Sequence, residues 1–539
     1  MTIFGFVRFD CRLSKGEKAG KHDVIEQIAK LDESPRPMKK SHVFMLLASL
    51  MVIGWSGWTL LGARGGVTIE KIQVGEIPAT LFRPSGPSNG QVALIAHGFA
   101  GSQQLMQPMA LTLAQSGYTA VTFDFAGHGG NARPMRGGVK DMGESTRTLT
   151  SEIDQMTAFA RGLSGGKPIA LVGHSMAADL IVQYAMGRTD IAAVAALSVF
   201  GAGITRTQPR NLIVITGAWE PAMLTEAAAR IAGLAADGPA RERVTYGDFA
   251  QGAARRFVLA EGAEHIGVIY SRDGLTETRD WLNSAFGQTS TGAIDSRGKW
   301  LALLFAGLLA LAWPLAKALP VLSAKPLGAG LGWKRFAPIT LAPAILTPLI
   351  LWKAPTDFLP ILLGDYLAVH FVVYGLLSAG GLWLTRHGSP KASSDWRKPL
   401  APALGLAAYY ILGLGAPIDA FVTSFMPSGV RWMIIAPMFG ATALYFLCDE
   451  WLTRGRGAAR GGYAFSKVCF IASLLGAVAL NPERLFFLII IVPVIFIFFM
   501  VYGLISRWTY ARTGDPRVAA LGNAAGLAFA IAVTFPIVG

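Results

Sequence analysis

A serine hydroxyl is a weak nucleophile until a base stands within hydrogen-bond reach and a third group orients that base. The stretch Leu171-Val-Gly-His-Ser-Met-Ala177 offers such a hydroxyl at Ser175. A short apolar run, Ile169 to Val172, leads into it and an amphipathic one, Ala177 to Met186, leads away. Ser175 is therefore expected on a sharp strand-to-helix turn. Small residues at 173 and 177 let the backbone pass close to its neighbours while the hydroxyl is pushed out above the sheet edge. The N-terminus of the helix that follows adds a partial positive charge beside any oxyanion formed there.

The elements needed to hold such a turn are present on both sides of it. Val67 to Glu76 and Ile77 to Arg83 read as an opening antiparallel pair. Val92 to Ala96, Thr119 to Asp124, Pro168 to Val172, Ile191 to Val199, Leu212 to Thr216 and Phe257 to Ala260 are short, nearly continuous apolar runs, as expected of strands buried on both faces. Helical stretches at 104–116, 146–162, 176–187 and 221–235 separate most of them. That order predicts an α/β domain with a doubly wound, mostly parallel sheet. Chemistry in such a sheet belongs just past the carboxyl ends of the strands.

The Ser175 stretch resembles the nucleophile elbow, Gly-x-Ser-x-Gly, of the α/β-hydrolase family, with Ala177 in place of the last glycine. In that family the partners follow in the order serine, acid, histidine, each just after a strand. Glu261-Gly-Ala-Glu-His265 resembles the family's Gly-x-x-His loop, which makes His265 the expected base. Thr216-Gly-Ala-Trp-Glu220 resembles its Gly-x-x-Asp turn, with Glu220 in the acid's place and Asp248 as the alternative. His97-Gly-Phe-Ala-Gly101 resembles the family's His-Gly loop, so the resemblance implies an oxyanion hole made by the N–H groups of Phe99 and Met176. Asp124-Phe-Ala-Gly-His-Gly129 is similar to the Asp-x-Arg-Gly-His-Gly turn of esterases, peptidases and lipases of this fold, with Ala126 where arginine is usual. His128 and His174 are expected as structural turn residues, and His97 as a brace for its own loop. No zinc-ligand spacing, phosphate loop or dinucleotide fingerprint occurs, so neither a cofactor nor a metal is expected.

The remaining sequence is of another kind. At 52 % hydrophobic and 15 % charged, 539 residues are too apolar for one ordinary soluble protein. The net charge of +14 is unevenly held: Lys and Arg number 18 against 19 Asp and Glu in residues 67–287, but 20 against 9 in residues 288–539. This pattern belongs to membrane loops and argues against nucleic-acid binding. Residues 1–41 read as a cytoplasmic tail, within which Met38 is a candidate for the true start. Residues 42–63 read as an uncleaved signal anchor. Residues 64–298, with a core at 67–287, then form the hydrolase domain. Residues 299–539 form a polytopic membrane domain with about eight spans, near 299–319, 336–352, 362–385, 400–418, 431–451, 465–481, 485–506 and 518–538. The span with Pro338, Pro343 and Pro348 is a candidate for a broken or re-entrant segment. Basic residues fall in every second loop: Lys325, Lys334 and Arg335; Arg386, Lys391, Arg397 and Lys398; Arg454, Arg456 and Arg460; Arg507, Arg512 and Arg517. By the positive-inside rule this alternation sets the hydrolase outside the cytoplasm, at the cell membrane.

Of the three cysteines, Cys11, Cys448 and Cys469, none lies in the hydrolase region, so cysteine usage supplies no disulfide framework there. Asp365 and His370 are ionisable groups in or near a span and so are candidates for a relay, although five residues apart on a helix they face different ways. Asp449 and Glu450 are expected at the inner interface. Residues 236–254 are a candidate partial cover for the site. The expected function is that of a membrane-anchored serine hydrolase acting through an acyl-enzyme on an amphiphilic or lipid-like ester, with the bilayer as its partner. Acyl transfer by the same residues, and a transporter or lipid-binding membrane half with an accessory hydrolase, are the alternatives. In outline, anchor, hydrolase and multi-span domain resemble the eukaryotic glycosylphosphatidylinositol inositol-deacylases, by architecture alone.

Overall fold

The computed structural model describes residues 40–138, 141–236, 238–385 and 395–539. The tail through Lys39, the Met38 start, and Arg386 and Lys391 lie outside the described residues. A 23-residue apolar helix, α1 (Lys40–Gly62), leads into the hydrolase half. That half is built on eight strands: β1 (Val67–Val74), β2 (Ile77–Pro84), β3 (Val92–Ala96), β4 (Thr119–Phe123), β5 (Ile169–His174), β6 (Ile191–Leu197), β7 (Leu212–Gly217) and β8 (Arg255–Ala260). Their order across the sheet is β1-β2-β4-β3-β5-β6-β7-β8, antiparallel through β1, β2 and β4 and parallel from there on. This is the α/β-hydrolase arrangement.

Helices cover both faces, which is why the central strands are apolar on most residues and buried on nearly all. Helices α2 (Gln107–Gln115) and α6 (Arg272–Phe286) close one core with Phe82, Ile95, Val172 and Ile213. Helices α3 (Met142–Leu163), α4 (Met176–Ala185) and α5 (Ala222–Gly233) close the other with Leu94, Leu171 and Val214. Helix α3 starts where Asp141 accepts the Glu144 N–H, four residues before the periodic stretch legible in the sequence. Strand β8 likewise starts two residues earlier than its apolar run. Arg255 is buried with its guanidinium on the Ala254 and Thr205 carbonyls, and Arg256 pairs with Glu277 while lying over the Trp281 ring. Charged heads that leave the sheet on long apolar stems hide a strand from a reading by apolar runs.

Eight further helices make the C-terminal half, called the membrane half after their length and hydropathy: α7 (Gly298–Ala318), α8 (Trp333–Leu351), α9 (Gly364–Leu384), α10 (Arg397–Phe421), α11 (Arg431–Thr453), α12 (Gly462–Leu480), α13 (Leu488–Thr513) and α14 (Pro516–Thr534). With α1, nine helices among the described residues are long and apolar enough to cross a membrane. Despite its three prolines α8 is continuous and is not broken. The irregularity falls instead in α10, where Tyr409–Leu414 widen into a π-helical turn.

The bundle has two distinct ends. At one, Ala329 N–H bonds Trp451 O, Gly330 N–H bonds Arg454 O and Leu322 N–H bonds Thr513 O, gathering the loops that carry Lys325, Arg454, Arg456 and Arg460 and the last turn of α13 with Arg512. At the other, the segments 352–363, 422–430, 481–487 and 535–539 meet each other or the hydrolase half: Leu362 N–H bonds Pro536 O, and Ile537 N–H bonds Gly127 O.

Candidate active site

Ser175 occupies the turn between β5 and α4 with φ 55° and ψ −123°, a left-handed conformation that only a tightly determined turn imposes on a serine. Its N–H is bound by Leu197 O at 2.8 Å. The turn closes because position 173 is glycine: a β-carbon there would lie 2.8 Å from Ala177 O and from the Ile181 side chain.

The structure brings three of the expected residues together. His265 Nε2 lies 2.9 Å from Ser175 Oγ, and His265 Nδ1 lies 2.6 Å from Glu220 Oε2. Glu220 is anchored through its other oxygen, which accepts from Ser198 Oγ at 2.6 Å and from Gly217 N at 2.8 Å. Burial raises the Glu220 carboxyl pKa, but hydrogen bonds from His265, Ser198 and the Gly217 N–H outweigh it, and the net value is lowered. The carboxylate is thus held ionised, so Nδ1 carries the proton toward Glu220 and Nε2 is left to accept from the serine hydroxyl. The longer glutamate side chain is accommodated by a tight turn, Glu220 N–H to Gly217 O at 3.0 Å. Gly217 in turn packs where a β-carbon would meet Ala263 O at 2.5 Å. Asp248, the alternative acid, accepts from Ala250 N in a turn before β8, at the opposite end of that strand from the His265 loop. Residues 238–254 do not cover the site: Tyr246 pairs with Arg255 and Arg243 N–H bonds Phe257 O, so the segment runs along the outer edge of β8, which would otherwise be unpaired.

The loop after β3 lies directly against the nucleophile. A β-carbon at Gly98 would come within 3.0 Å of Ser175 Cβ and of His174 O, so only glycine lets the chain pass there. Among the described residues neither the Phe99 N–H nor the Met176 N–H bonds to a protein acceptor. His97 braces the loop by donating from Nδ1 to Gly98 O at 2.8 Å and accepting the Phe125 N–H on Nε2 at 3.2 Å. His174 donates from Nε2 to His265 O at 2.8 Å, which ties the elbow to the histidine loop. Burial lowers the pKa of all three flanking histidines, His97 by direction and His128 and His174 to about 3, so all three are neutral braces. In the turn after β4, Asp124 receives Gln103 N, Gln103 Nε2 and Gly130 N, while Ala126 N–H bonds Glu152. The guanidinium that meets this turn is that of Arg431, from the membrane half, on Gly127 O at 2.8 Å.

Reading the sequence missed several residues that shape this site. Ser198 carries no motif. Ser102, Thr423, Ser424 and Phe487 also escaped notice: Ser102 Oγ is 3.0 Å from Thr423 Oγ1 and accepts Ser424 N at 2.8 Å, and the Phe99 ring stacks on Phe487 at 4.5 Å. No local signal marks residues that act only across an interface more than 300 positions away.

The ionisable groups of the membrane half are elsewhere. Asp365 accepts the N–H groups of Phe358 and Tyr366 at the start of α9, and His370 lies between Tyr366 and Ser473 without touching Asp365. Asp449 and Glu450 are buried within the bundle, near its Arg454 end. Asp449 takes bonds from Ser466 and Lys467, and Glu450 from Arg454, Ser506 and Asn523. Among the described residues no three His, Cys, Asp or Glu side chains converge as metal ligands.

Residues 87–236 match the family model described as serine aminopeptidase, S33. No curated protein matches the chain. Among solved structures, the chain is similar to TT1662 from Thermus thermophilus, at 15 % identity over 41 % of this chain and 99 % of that one, TM-score 0.32. It is also similar to epoxide hydrolase A from Mycobacterium thermoresistibile, at 15 % identity over 40 % and 98 %, TM-score 0.29. A cold-adapted esterase from an Arctic intertidal metagenomic library matches at 15 % identity over 41 % and 94 %, TM-score 0.31.

Proposed function

We propose that this serine hydrolase is held in a membrane and cleaves lipid-like acyl esters at the outer, extracytoplasmic surface, with Ser175, His265 and Glu220 as its catalytic residues. His265 Nε2 takes the Ser175 proton as Oγ bonds to the acyl carbon, and the carbonyl oxygen, now negative, is held by the N–H groups of Phe99 and Met176. The C–O bond then breaks, the imidazolium gives its proton to the departing alcohol, and the acyl group stays on Ser175. Water, deprotonated by His265, attacks this ester in turn, releasing the acid and restoring the serine.

The observation that carries the lipid reading is where the strand ends point. The loops after β3 and β4 are seated on the membrane half through Ser102, Phe99 and Gly127. The loop after β8 joins it through Tyr270, which packs on the Leu60, Leu301 and Leu304 cluster of α1 and α7. The loops after β5, β6 and β7 lie between these contacts in the sheet and so face the same surface. The rim there is apolar next to the site residues: Phe200 after β6 is 52 % exposed, Trp219 after β7 72 %, Met223 in the first turn of α5 61 % and Ile266 after β8 41 %. The His265 side chain is itself 32 % exposed, so the site opens to this rim. An exposed apolar rim of this kind suits an acyl chain or a lipid surface.

In vesicles, the full-length protein is expected to hydrolyse long-chain lipid esters faster than short soluble ones, and Trp219→Ser with Met223→Ser is expected to abolish that preference. An unchanged preference would sink the lipid reading. The side of the membrane is tested separately: a reporter joined at residue 290 is expected outside and one at 392 inside.

A further inference from the structure

The segment that must place the Phe99 N–H is strained. It runs through Gly98, where the chain squeezes past Ser175, and Ala100, whose φ of 53° is a left-handed conformation that costs an alanine free energy. Such a loop keeps its shape only where its surroundings over-determine it. Within the hydrolase half, His97 fixes its start. Beyond that point the Gly101 N–H closes on Gly98 O, His128 meets the Phe99 ring edge-on at 6.0 Å and Asp124 holds the Gln103 N–H, while the remaining anchors, on the other side of the Phe99 ring and on Ser102, belong to the membrane half. Phe487, in the segment before α13, stacks on the Phe99 ring at 4.5 Å with an interplanar angle of 29°. Thr423 and Ser424, just after α10, hold Ser102 at the far end of the loop with contacts of 3.0 and 2.8 Å.

We propose that the membrane half is part of the serine site's machinery, with Phe487 and the Thr423–Ser424 pair as positioning residues that keep the Phe99 N–H aimed at the transition-state oxyanion. This rests on the serine-hydrolase reading of Ser175. It goes further in giving the membrane half a role on every substrate, soluble ones included, and not only on those that the bilayer presents. An oxyanion donor contributes through its fixed direction, and losing one costs about 10²–10³ in rate. A shift of the donor by a fraction of its bond length is expected to cost part of that, about tenfold or more. Substrate binding in the ground state makes little use of the donor, so the loss falls on kcat and leaves KM nearly unchanged.

The test uses full-length protein in detergent micelles, p-nitrophenyl butyrate as a soluble substrate, and a short trifluoromethyl ketone, whose adduct with Ser175 carries the oxyanion. Phe487→Ala is expected to lower kcat about tenfold or more at nearly constant KM, and to weaken the ketone by the same factor. Phe487→Trp, which keeps a stacking ring, is expected to restore both. Phe486→Ala, at the exposed neighbouring ring, is expected to leave both at the wild-type value. Ser102→Ala removes the other anchor from the hydrolase side and is expected to act in the same direction, so it carries the comparison should Phe487→Ala fail to fold. Unchanged kcat and ketone affinity in these variants would overturn the proposal. So would a fall in kcat that the ketone does not share, because that is loss of active protein rather than loss of a donor. Failure of the underlying reading is distinguishable: Ser175→Ala would then hydrolyse the butyrate as fast as the wild type.

Discussion

Two glutamates with fully buried side chains, one in each half of the molecule, separate a reactive arrangement from a structural one. Glu220 faces an imidazole that is partly exposed and reaches a serine hydroxyl 2.9 Å away. Glu450 faces Arg454, Ser506 and Asn523, none of which gives up a proton in the working range and all of which are enclosed by the bundle. Both carboxylates are satisfied, as burial requires. The difference lies in the partner: only the first carboxylate is coupled to a group that exchanges a proton and touches the surface. A buried carboxylate is therefore a poor marker of chemistry by itself, and among those of the membrane half Asp449 and Glu450 belong to a structural network.

The sharpest break of this comparison is at the nucleophile. Ser175→Ala is expected to abolish fluorophosphonate labelling and to lower kcat by about 10⁶, as loss of the nucleophile does in other serine hydrolases. Labelling that persists in this variant removes the contrast altogether. Glu220→Gln comes next, with kcat expected to fall by about 10⁴ because the neutral amide stabilises the wrong imidazole tautomer. Steady-state kinetics on Asp248→Asn should show no such change, and a large loss there with a small one at Glu220 would transfer the role. Glu450→Gln should do the reverse. It leaves Arg454 without its buried counter-charge, so thermal unfolding in detergent should show a loss of about 3–5 kcal/mol, while kcat on a soluble ester per folded molecule stays at the wild-type value.

Per group and per pH unit, the smallest effect is that of pH. Burial lowers the folded-state pKa of His97, and brings His128 and His174 to about 3, whereas the unfolded chain takes up these protons near pH 6.5. Their contribution to stability is complete above about pH 6.5 and is lost as pH falls from there, for His128 and His174 down to about 3, by up to about 1.4 kcal/mol per pH unit for each histidine. Glu220, also lowered, adds its own loss only further down, below the usual carboxylate range of about 4. Denaturation of the hydrolase half followed between pH 7.5 and 5 checks the sign, and stability that rises on acidification would mean that these rings are charged in the fold.

Much of the hydrolase half was legible because its signals are local. Gly173 and Ala177 around Ser175, and the Gly-x-x spacings before Glu220 and His265, are short-range demands of turns at strand ends, and each shows in a few consecutive residues. Strand starts were less legible where arginine stems carry the strand, as at Arg255 and Arg256. In the membrane half, length and hydropathy located the helices, but the position of a charged side chain along a helix did not reveal its environment. Asp449 and Glu450 stand beside a basic loop, and they are buried because Lys467, Arg454 and Ser506 come to them from other turns and helices.

The sequence by itself determined the identity and order of the elements, the serine on its turn, the histidine and glutamate after their strands, and the two chemical kinds of chain, one alternating strand and helix and one apolar over long helices. Those features are written in neighbouring residues, where backbone sterics and hydropathy act over a few positions. Tertiary structure alone put Glu220 rather than Asp248 against His265, folded residues 238–254 onto the edge of β8, and set Phe487, Thr423 and Ser424 against the loop after β3. Each of these depends on which surfaces meet when distant segments pack, and side-chain contacts over 300 positions apart leave no period or spacing in the chain that makes them.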